Sequence, residues 1–151
     1  MLTHHKATEE ELRAICGWQY AGKYALYNNV SYEEMKAKKF GFGNPKMVVE
    51  AFYDGDALVG FCNLYEEEHE VFFGIGVEQH GCGRGYGQEM TKTMAALSHE
   101  MFPGKPLYLE VRTWNERAIR CYQKAGFAVD GDVIRQQTGA GEGEFYRMVR
   151  E

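Results

Sequence analysis

The chain has 151 residues, of which 44% are hydrophobic and 26% are charged, a balance typical of one globular domain over residues 1–151 with a buried core. Its formal net charge of −5 disfavours nucleic acid as the main partner. Any anionic ligand must therefore be held by groups gathered locally, because the overall field of the protein does not attract it.

The first third of the chain contains two predicted helices, each opened by the same capping pattern. Thr8 is followed three residues later by Glu11, and Ser31 is followed in the same way by Glu34. At this spacing a hydroxyl and a carboxylate cap a helix N-terminus. We therefore expect a short helix through Ile15 and a second helix over "YEEMKAKKF". The aromatic segment between them, "WQYAGKYALYNN", is not assigned to an element.

The middle of the chain contains three predicted strands and a helix. A hairpin is predicted by "KMVVEAFY" and "ALVGFCNLY", which a turn at Asp54 and Gly55 joins. After the acidic "EEEHE", the alternating apolar residues of "VFFGIGV" predict a third strand. Beyond a glycine-rich turn, apolar residues recur at helical spacing, so we expect a helix from Gly85 to about His99.

The last third of the chain contains strands around a further helix. The alternation of "LYLEV" predicts a strand, and "NERAIRCYQKAG" predicts a helix that Asn115 opens and Gly126 closes. Two final strands, "FAVDGDVIRQQ" and "EFYRMVR", flank the glycine-rich "TGAGEG". This order of elements predicts an α/β sandwich around a mostly antiparallel sheet with one crossover unit.

The cysteines and the apolar runs bear on location. Cys16, Cys62, Cys82 and Cys121 are scattered, and none has the CxxC or histidine spacing of a metal site. No apolar signal core opens the chain, and no apolar run approaches membrane-spanning length. We expect a cytoplasmic protein with reduced thiols, no bound metal and no membrane partner.

Four glycines at alternate positions, Gly81, Gly83, Gly85 and Gly87, lie between a predicted strand and a predicted helix. This arrangement aims backbone N–H groups and a helix N-terminus at a phosphate, and Arg84 adds a cation beside them. The spacing fits neither the dinucleotide fingerprint GxGxxG nor the Walker pattern GxxxxGK[ST]. A tight turn without a ligand would explain one glycine but explains four poorly.

Two segments, "CGRGYG" and "N…AI..Y.KAGF", resemble the two signature segments of the GNAT family of N-acetyltransferases. The resemblance is close over residues 58–127. The segment "LEVR…N…AI..Y…GF" is most similar to ribosomal-protein N-terminal acetyltransferases, whereas the front and closing segments look like those of uncharacterised bacterial members. The resemblance implies an α/β fold with a mixed, mostly antiparallel twisted sheet of six to seven strands, flanked by about four helices.

The resemblance implies that acetyl-coenzyme A is the co-substrate and that its pyrophosphate binds at the glycine turn. The turn residues implied in this contact are Cys82, Gly83, Arg84, Gly85, Tyr86 and Gly87. Main-chain groups of Ile75, Gly76 and Val77 would hold the pantetheine arm, and Asn115 would contact the same molecule. The family usually has Gln or Arg where Cys82 stands; this difference removes a side-chain contact with phosphate but leaves the amides.

A general acid and a general base for acetyl transfer to an amine are also implied. Tyr122 would protonate the departing thiolate, and it shares a helix face with Asn115 seven residues earlier. Glu110 matches the glutamate that accepts the amine proton in the N-terminal acetyltransferases. Taken alone, Asn115 and Tyr122 favour a helix cap and half-buried packing. Glu110 fits a cross-strand partner of a basic residue as well as it fits a base.

Other groups near the predicted cofactor strand are weaker candidates for chemistry. His69, Glu70, Glu78 and His80 lie at either end of that strand and could serve as the base. Cys82 lies where a thiol nucleophile is conceivable. Direct transfer from acetyl-coenzyme A to an amine in a ternary complex needs no such nucleophile.

The sequence does not identify the acceptor. In the family, the early helices wall the acceptor cleft, and four aromatic residues lie in that part of this chain: Trp18, Tyr20, Tyr24 and Tyr27. The ring faces of such residues can bind a cation. We expect most of them to fill core instead. We expect a small amine or a peptide N-terminus as the acceptor. The alternative is a regulatory module that binds acyl-coenzyme A without turnover. Because members of the family often dimerise, a homodimer is a further expectation.

Overall fold

An eight-stranded sheet lies at the centre of the computed structural model, which describes residues 1–138 and 141–151. The strands are β1 Thr3–Lys6, β2 Val48–Asp54, β3 Ala57–Glu66, β4 Val71–Val77, β5 Leu107–Arg112, β6 Ala128–Val129, β7 Ile134–Thr138 and β8 Gly141–Arg150. The α-helices within the described residues are α1 Glu9–Cys16, α2 Tyr32–Lys38, α3 Tyr86–Met101 and α4 Glu116–Lys124. Short 3₁₀ segments occupy Gly22–Tyr27, Gly41–Gly43 and Gln79–Gly81. The predicted fold class is confirmed, although the sheet has eight strands rather than six to seven.

The strand order of the sheet explains where it opens. The order is β1-β2-β3-β4-β5-β8-β6, and β7 also pairs with β8. All these pairings are antiparallel except that of β4 with β5, in which Val71 lies opposite Leu107 and Phe72 lies opposite Tyr108. Beyond these two pairs, β4 and β5 have no registered partners in each other. The sheet therefore opens into a wedge toward the end of β4 at Val77.

The first two helices begin where the capping patterns predict. The Thr8 hydroxyl accepts a hydrogen bond from the Glu11 N–H at 3.2 Å, and the Glu11 carboxylate accepts one from the Thr8 N–H at 2.9 Å. The Ser31 hydroxyl accepts a hydrogen bond from the Glu34 N–H at 3.2 Å. Both helices contribute to an apolar cluster, which includes Phe61 of β3, on one face of the sheet.

The second apolar cluster holds α3 against the other face of the sheet. Met90 and Met94 of α3 are fully buried there, together with Phe73 of β4 and Met148 of β8. Phe127, which follows α4, belongs to the same cluster. This packing fixes the N-terminus of α3 beside the open edge of β4, where the wedge begins.

Strand β1 was not predicted, because "THHK" has no apolar alternation and all four of its residues are exposed. It pairs with β2 through the backbone, and its two histidines contact carboxylates of β2 and α1. The rings of His4 and His5 lie 2.8 Å and 2.7 Å from the carboxylates of Glu50 and Glu11. Polar contacts of this kind leave no periodic signal in a sequence.

The predicted single strand "FAVDGDVIRQQ" is wrong, because the chain turns within it and forms β6 and β7. Gly131 lies in this turn with φ +84°. Both strands pair with β8, Val129 opposite Met148 and Ile134 opposite Phe145. The predicted glycine-rich loop "TGAGEG" falls in part outside the described residues, at positions 139 and 140.

The thiols and the helices bear on the predicted location. Cys16, Cys62, Cys82 and Cys121 are free thiols. Over residues 1–138 and 141–151, no helix combines the length and the apolar character needed to cross a membrane. The same residues contain no group of three or more His, Cys, Asp or Glu side chains placed to hold a metal ion. The cytoplasmic location stays a prediction.

Candidate active site

A cleft of about 640 Å³ occupies the wedge between β4 and β5. Its walls come from β4, the turn at residues 81–87, the start of α3, the end of β5 and α4, with tyrosines of the N-terminal region across its mouth. All of the predicted site residues except Arg84 line this cleft: Ile75, Gly76, Val77, Cys82, Gly83, Gly85, Tyr86, Gly87, Glu110, Asn115 and Tyr122. The fold thus brings residues from three separate segments to one cavity.

The free edge of β4 presents main-chain groups to the cleft. The Glu78 N–H donates to the Val59 carbonyl at 2.8 Å, which fixes the alternation of hydrogen bonds between β3 and β4. By this alternation the main-chain groups of Gly76 point toward β3, and those of Ile75 and Val77 point into the wedge. This distinction within the predicted contact segment could not be read from the sequence.

One of these main-chain groups is occupied by a tyrosine from the opposite side of the cleft. The Tyr20 hydroxyl donates to the Val77 carbonyl oxygen at 2.8 Å. Burial raises the pKa of Tyr20 to about 12, so that its hydroxyl remains a donor at neutral pH. Tyr20 therefore ties the N-terminal aromatic segment to the end of β4.

The glycine turn has the backbone shape that an anion site requires. Gly83 and Gly85 have φ values of +85° and +80°, a region that L-residues with a side chain rarely adopt. No atom lies within 4 Å of a Cβ built at either position, so the space above the turn is open. Gly85 is also the N-cap of α3, where it supplies no side-chain cap to the first-turn amides. The turn fits a pyrophosphate, because these free amides and the helix dipole face open space.

The other two glycines of the turn permit close packing. A Cβ at Gly87 would lie 3.1 Å from the Cys121 sulfur of α4, and one at Gly81 would lie 3.2 Å from the Tyr86 ring. Gly87 therefore lets α3 approach α4, and Gly81 makes room for Tyr86. The Tyr86 hydroxyl donates to the Asp54 carboxylate at 2.5 Å, which links the turn to the β2–β3 hairpin.

Two predicted side chains of the turn are placed less favourably for contact with a ligand. Arg84 is exposed and does not line the cleft. The Cys82 thiol lines the cleft, but it points to the Glu78 carbonyl oxygen at 3.8 Å. The main chain of the turn, rather than these two side chains, therefore borders the open space of the cleft.

Asn115 is nearly buried, with 7% of its surface exposed, and both ends of its side chain are engaged. Its Oδ1 accepts a hydrogen bond from the Ala118 N–H at 3.3 Å, so that the side chain caps α4. Its Nδ2 donates to the Tyr27 hydroxyl at 3.0 Å. Asn115 is thus both the helix cap and an anchor for the 3₁₀ segment, and its contact with the co-substrate stays a prediction.

Tyr122 faces the cleft from α4. Burial raises the pKa of its hydroxyl well above the ordinary tyrosine value, and the neighbouring Cys121 raises it further. The hydroxyl therefore holds its proton throughout the neutral range. Among the described residues it makes no hydrogen bond, so its proton is available to a ligand.

Glu110 lines the cleft without an ion-pair partner among the described residues. Arg147 lies opposite it across the β5–β8 pairing, as the cross-strand interpretation requires. The Arg147 guanidinium, however, donates instead to the Glu70 carboxylate at 2.5 Å and 3.2 Å and to Asp130 at 3.2 Å. Glu110 therefore forms no ion pair with its cross-strand neighbour.

The weaker candidates for the base lie outside the cleft. Glu70 is held by Arg147, and the exposed His69 lies beside Glu68. The Glu78 carboxylate accepts hydrogen bonds from the His80 N–H and lies 2.7 Å from the His80 ring. Glu110 is the only carboxylate among the described residues that line the cleft.

The N-terminal aromatic residues divide into two groups. Trp18 packs against Phe61 in an apolar cluster and fills core. The expectation that most of these residues fill core is wrong, since Tyr20, Tyr24 and Tyr27 line the cleft and none is fully buried. These three tyrosines wall the cleft because the segment that carries them is held by Asn115 and Val77.

The aromatic rings at the mouth of the cleft already contact basic side chains of the same chain. Arg117 lies 4.6 Å from the centre of the Tyr24 ring, and Lys23 lies 4.9 Å from that of Trp114. Tyr24 and Trp114 in turn contact each other edge to face at 5.5 Å. A cationic ligand would have to compete with these contacts.

Four basic side chains that sequence reasoning missed also line the cleft: Arg112, Arg117, Arg120 and Lys124. The last three recur at intervals of three and four residues, which places them on one face of α4, and this spacing could have identified them. The period of two along β5 places Arg112 on the same face as Glu110. That this face borders a cleft depends on how the sheet opens.

A family model described as the acetyltransferase (GNAT) family matches residues 12–127. A probable spermine N(1)-acetyltransferase of Bacillus subtilis subsp. natto is 32% identical over 97 residues, covering 56% of this chain and 61% of the relative. A spermine/spermidine N(1)-acetyltransferase of Bacillus subtilis is 31% identical over the same lengths. The matched region thus spans 61% of the length of these relatives.

Solved structures show the same fold over almost the whole chain. The spermidine N-acetyltransferase of Vibrio cholerae, in complex with coenzyme A and spermine, has a TM-score of 0.76 and 19% identity, covering 98% of this chain and 94% of that one. A ribosomal-protein alanine N-acetyltransferase of Escherichia coli has a TM-score of 0.74 and 19% identity, covering 99% and 93%. At these identities the likeness establishes the fold alone.

Proposed function

The chain belongs to the acetyltransferase (GNAT) family, and on that premise we propose that it transfers the acetyl group of acetyl-coenzyme A directly to a primary amine. The observation that carries this proposal is the cleft itself. In it an amide-lined turn, a protonated tyrosine and an unpaired carboxylate face one cavity. Together these supply an anion site, a general acid and a general base.

The proposed binding of acetyl-coenzyme A uses the main chain first. The turn at residues 82–87 and the N-terminus of α3 would hold the pyrophosphate, and the main-chain groups of Ile75 and Val77 would hold the amide groups of the pantetheine arm. Arg117 and Arg120 of α4 add positive charge to the same cleft. The bound molecule supplies an activated acetyl thioester.

The proposed chemistry assigns one proton transfer to each catalytic residue. A primary amine is mostly protonated at neutral pH, so the Glu110 carboxylate would take a proton from the ammonium group and leave a nucleophilic nitrogen. The Tyr122 hydroxyl would give its proton to the departing sulfur. Its raised pKa keeps that proton in place until the thiolate, a stronger base than the neutral thioester, forms.

The acceptor class is proposed from what the relatives are named for. The curated relatives are named for spermine and spermidine, and one solved neighbour for a protein-terminal alanine. We propose a small primary amine or a peptide N-terminus accordingly. A cytoplasmic location, where acetyl-coenzyme A is available, and a homodimer complete the proposal.

The test is steady-state release of free thiol from acetyl-coenzyme A in the presence of a panel of amines and peptides. We expect repeated turnover with at least one acceptor and a mass increase of one acetyl group on its nitrogen. Binding of acetyl-coenzyme A would be measured in parallel, through the rise in melting temperature that it causes. Binding without turnover on any acceptor would favour the regulatory module instead.

A further inference from the structure

The end of β5 places two opposite charges side by side in the cleft. Glu110 and Arg112 are two residues apart on one strand, so their side chains leave the same face about 7 Å apart. Both line the cleft, beyond the point where β4 and β5 part. A carboxylate and a guanidinium whose side chains leave one strand face in this way can hold a ligand that itself carries both charges.

The Arg112 guanidinium has donors to spare. The guanidinium carbon lies 4.8 Å from the centre of the Phe145 ring, and Nη2 donates to the Thr138 hydroxyl oxygen at 3.3 Å. The nearest acidic residues along β8, Glu142 and Glu144, lie instead within 4 Å of Arg135. Among the described residues no carboxylate forms an ion pair with Arg112.

A second arginine on the same face has a guanidinium whose donors are paired with carboxylates. Arg147 bonds two oxygens of Glu70 and one of Asp130, which neutralise its charge. Arg112 has the same access to the sheet surface but no acidic partner. A guanidinium offers paired donors that match the geometry of a carboxylate. Arg112 lines the cleft with its guanidinium against Phe145, Gly143 and Thr138.

The charge of the cleft does not suit a polycation. Its described lining holds four basic side chains and the single carboxylate of Glu110. Arg117 and Arg120 are assigned to acetyl-coenzyme A, so a polyamine would bring one ammonium group to Glu110 and its others toward Arg112 or Lys124. The aromatic faces that could receive them are already in contact with Lys23 and Arg117.

We propose that Arg112 binds an anionic group of the acceptor, and that the acceptor is a small amine carrying a carboxylate beside its amino group, as an α-amino acid does. This rests on the proposed acetyl transfer and names its substrate class. The carboxylate lies against Arg112 while the ammonium group lies against Glu110. Phe72 and Phe145, which also line the cleft, favour an apolar side chain.

The reaction balances as for any amine. The nitrogen forms a bond to the acetyl carbon, and the bond from that carbon to sulfur breaks. The nitrogen loses two protons overall. One replaces the proton that Tyr122 gives to sulfur, and the other leaves through Glu110 to solvent.

The test compares matched acceptors: L-leucine, L-methionine and L-phenylalanine, the carboxamide of each, and spermine. Free-thiol release gives kcat and KM for each acceptor. The amine of a carboxamide loses its proton more readily than that of the amino acid, so chemistry alone would favour the carboxamide. We expect the amino acids to be preferred nonetheless, with kcat/KM higher by about tenfold to a hundredfold, the value of a charge-assisted hydrogen-bond pair.

The variant Arg112→Gln should remove that preference. We expect KM for the amino acids to rise about tenfold or more while kcat changes little, and the carboxamides to keep their rate. Arg112→Lys should recover part of the preference. Arg13→Gln, which removes an exposed arginine of α1 outside the cleft, is the control and should behave as the parent protein.

Binding gives a second readout that does not depend on turnover. With coenzyme A present, each amino acid should raise the melting temperature of the parent protein more than its carboxamide does, and Arg112→Gln should abolish the difference. Acetylation of spermine but not of amino acids, or equal rates on amino acids and carboxamides, would overturn this inference and leave the acetyltransferase proposal standing. No transfer to any acceptor by a protein that binds acetyl-coenzyme A would overturn both.

Discussion

The two sides of the cleft are built from different material. The main-chain wall, formed by β4, the turn at residues 82–87 and the start of α3, presents backbone groups. The side-chain wall, formed by the Gly22–Tyr27 segment, β5 and α4, presents side chains held by contacts between distant residues, such as that of Asn115 with Tyr27. A change of backbone shape should therefore harm the first wall, and a loss of one functional group should harm the second.

The largest effect is expected from Gly85→Val in the main-chain wall. A valine at φ +80° either forces the turn into another shape or fills the space above it, and both remove amide donors. The loss of two or more charge-assisted hydrogen bonds should weaken acetyl-coenzyme A binding on the order of a hundredfold. Titration calorimetry measures this affinity.

The control for that variant is Gly104→Val, in the connection between α3 and β5. Gly104 has φ +82° and no atom within 4 Å of a built Cβ, so valine meets the same backbone strain outside the cleft. It should lower the melting temperature and leave the affinity unchanged. Equal losses of affinity in both variants would mean that strain, rather than the turn, explains the effect.

Gly87→Val should also weaken binding, because its side chain would meet Cys121 and separate α3 from α4.

The next largest effect is expected from Tyr122→Phe in the side-chain wall. The change removes one hydroxyl and leaves the ring packing, so turnover should fall on the order of a hundredfold, as for the loss of a general acid. The affinity for acetyl-coenzyme A should barely move, because the lost contact belongs to the transition state. Raising the pH should not restore the rate, since it supplies no proton to the leaving thiolate.

Tyr32→Phe is the matched control for this variant. It removes a hydroxyl that bonds Glu9 in the other apolar cluster, outside the cleft. Its turnover should equal that of the parent protein. Full activity of Tyr122→Phe under conditions in which chemistry limits the rate would show that this tyrosine only packs.

Glu110→Gln should have a smaller effect that depends on pH. At neutral pH the turnover should fall about tenfold to a hundredfold, because no group accepts the ammonium proton. The defect should shrink as the pH rises toward the pKa of the acceptor amine, since free amine then forms without a base. Initial rates across a pH series measure this. Glu116→Gln, at an exposed position in the first turn of α4, should leave the profile unchanged, and an equal defect at every pH would contradict the role of Glu110 as base.

The difference between the walls also explains what the sequence could predict. The main-chain wall leaves a local signal, because glycines are required at particular positions between a strand and a helix. The side-chain wall depends on pairing partners far apart in the chain. Arg147, for example, lies opposite Glu110 but bonds Glu70, 77 residues away, and no local pattern records that choice.

Elements held by polar contacts or by register were likewise missed. Strand β1 depends on His4 and His5, and the division of β6 from β7 depends on a turn at Gly131 within an otherwise extended pattern. That the Arg112 guanidinium lies beside the cleft follows only from the place where the wedge opens, which the sequence does not show. The sequence therefore predicted most of the elements and most of the residues that line the cleft, while the charge balance of the cleft required the structure.

The smallest effect is expected from Cys82→Ala. This variant tests whether the main-chain wall acts through its backbone or through its one reactive side chain, the Cys82 thiol. The Cys82 sulfur contacts the Glu78 carbonyl only at 3.8 Å, and the amide of residue 82 remains when the thiol is removed. A weak contact of this kind contributes little, so turnover and affinity should stay within about twofold of the parent protein. If acetyl first moved to this thiol, the variant would be inactive, and mass spectrometry of the parent protein without an acceptor would show an acetylated enzyme. We expect neither result, because in the proposed mechanism the main-chain wall binds through its amides and the amine attacks the thioester directly.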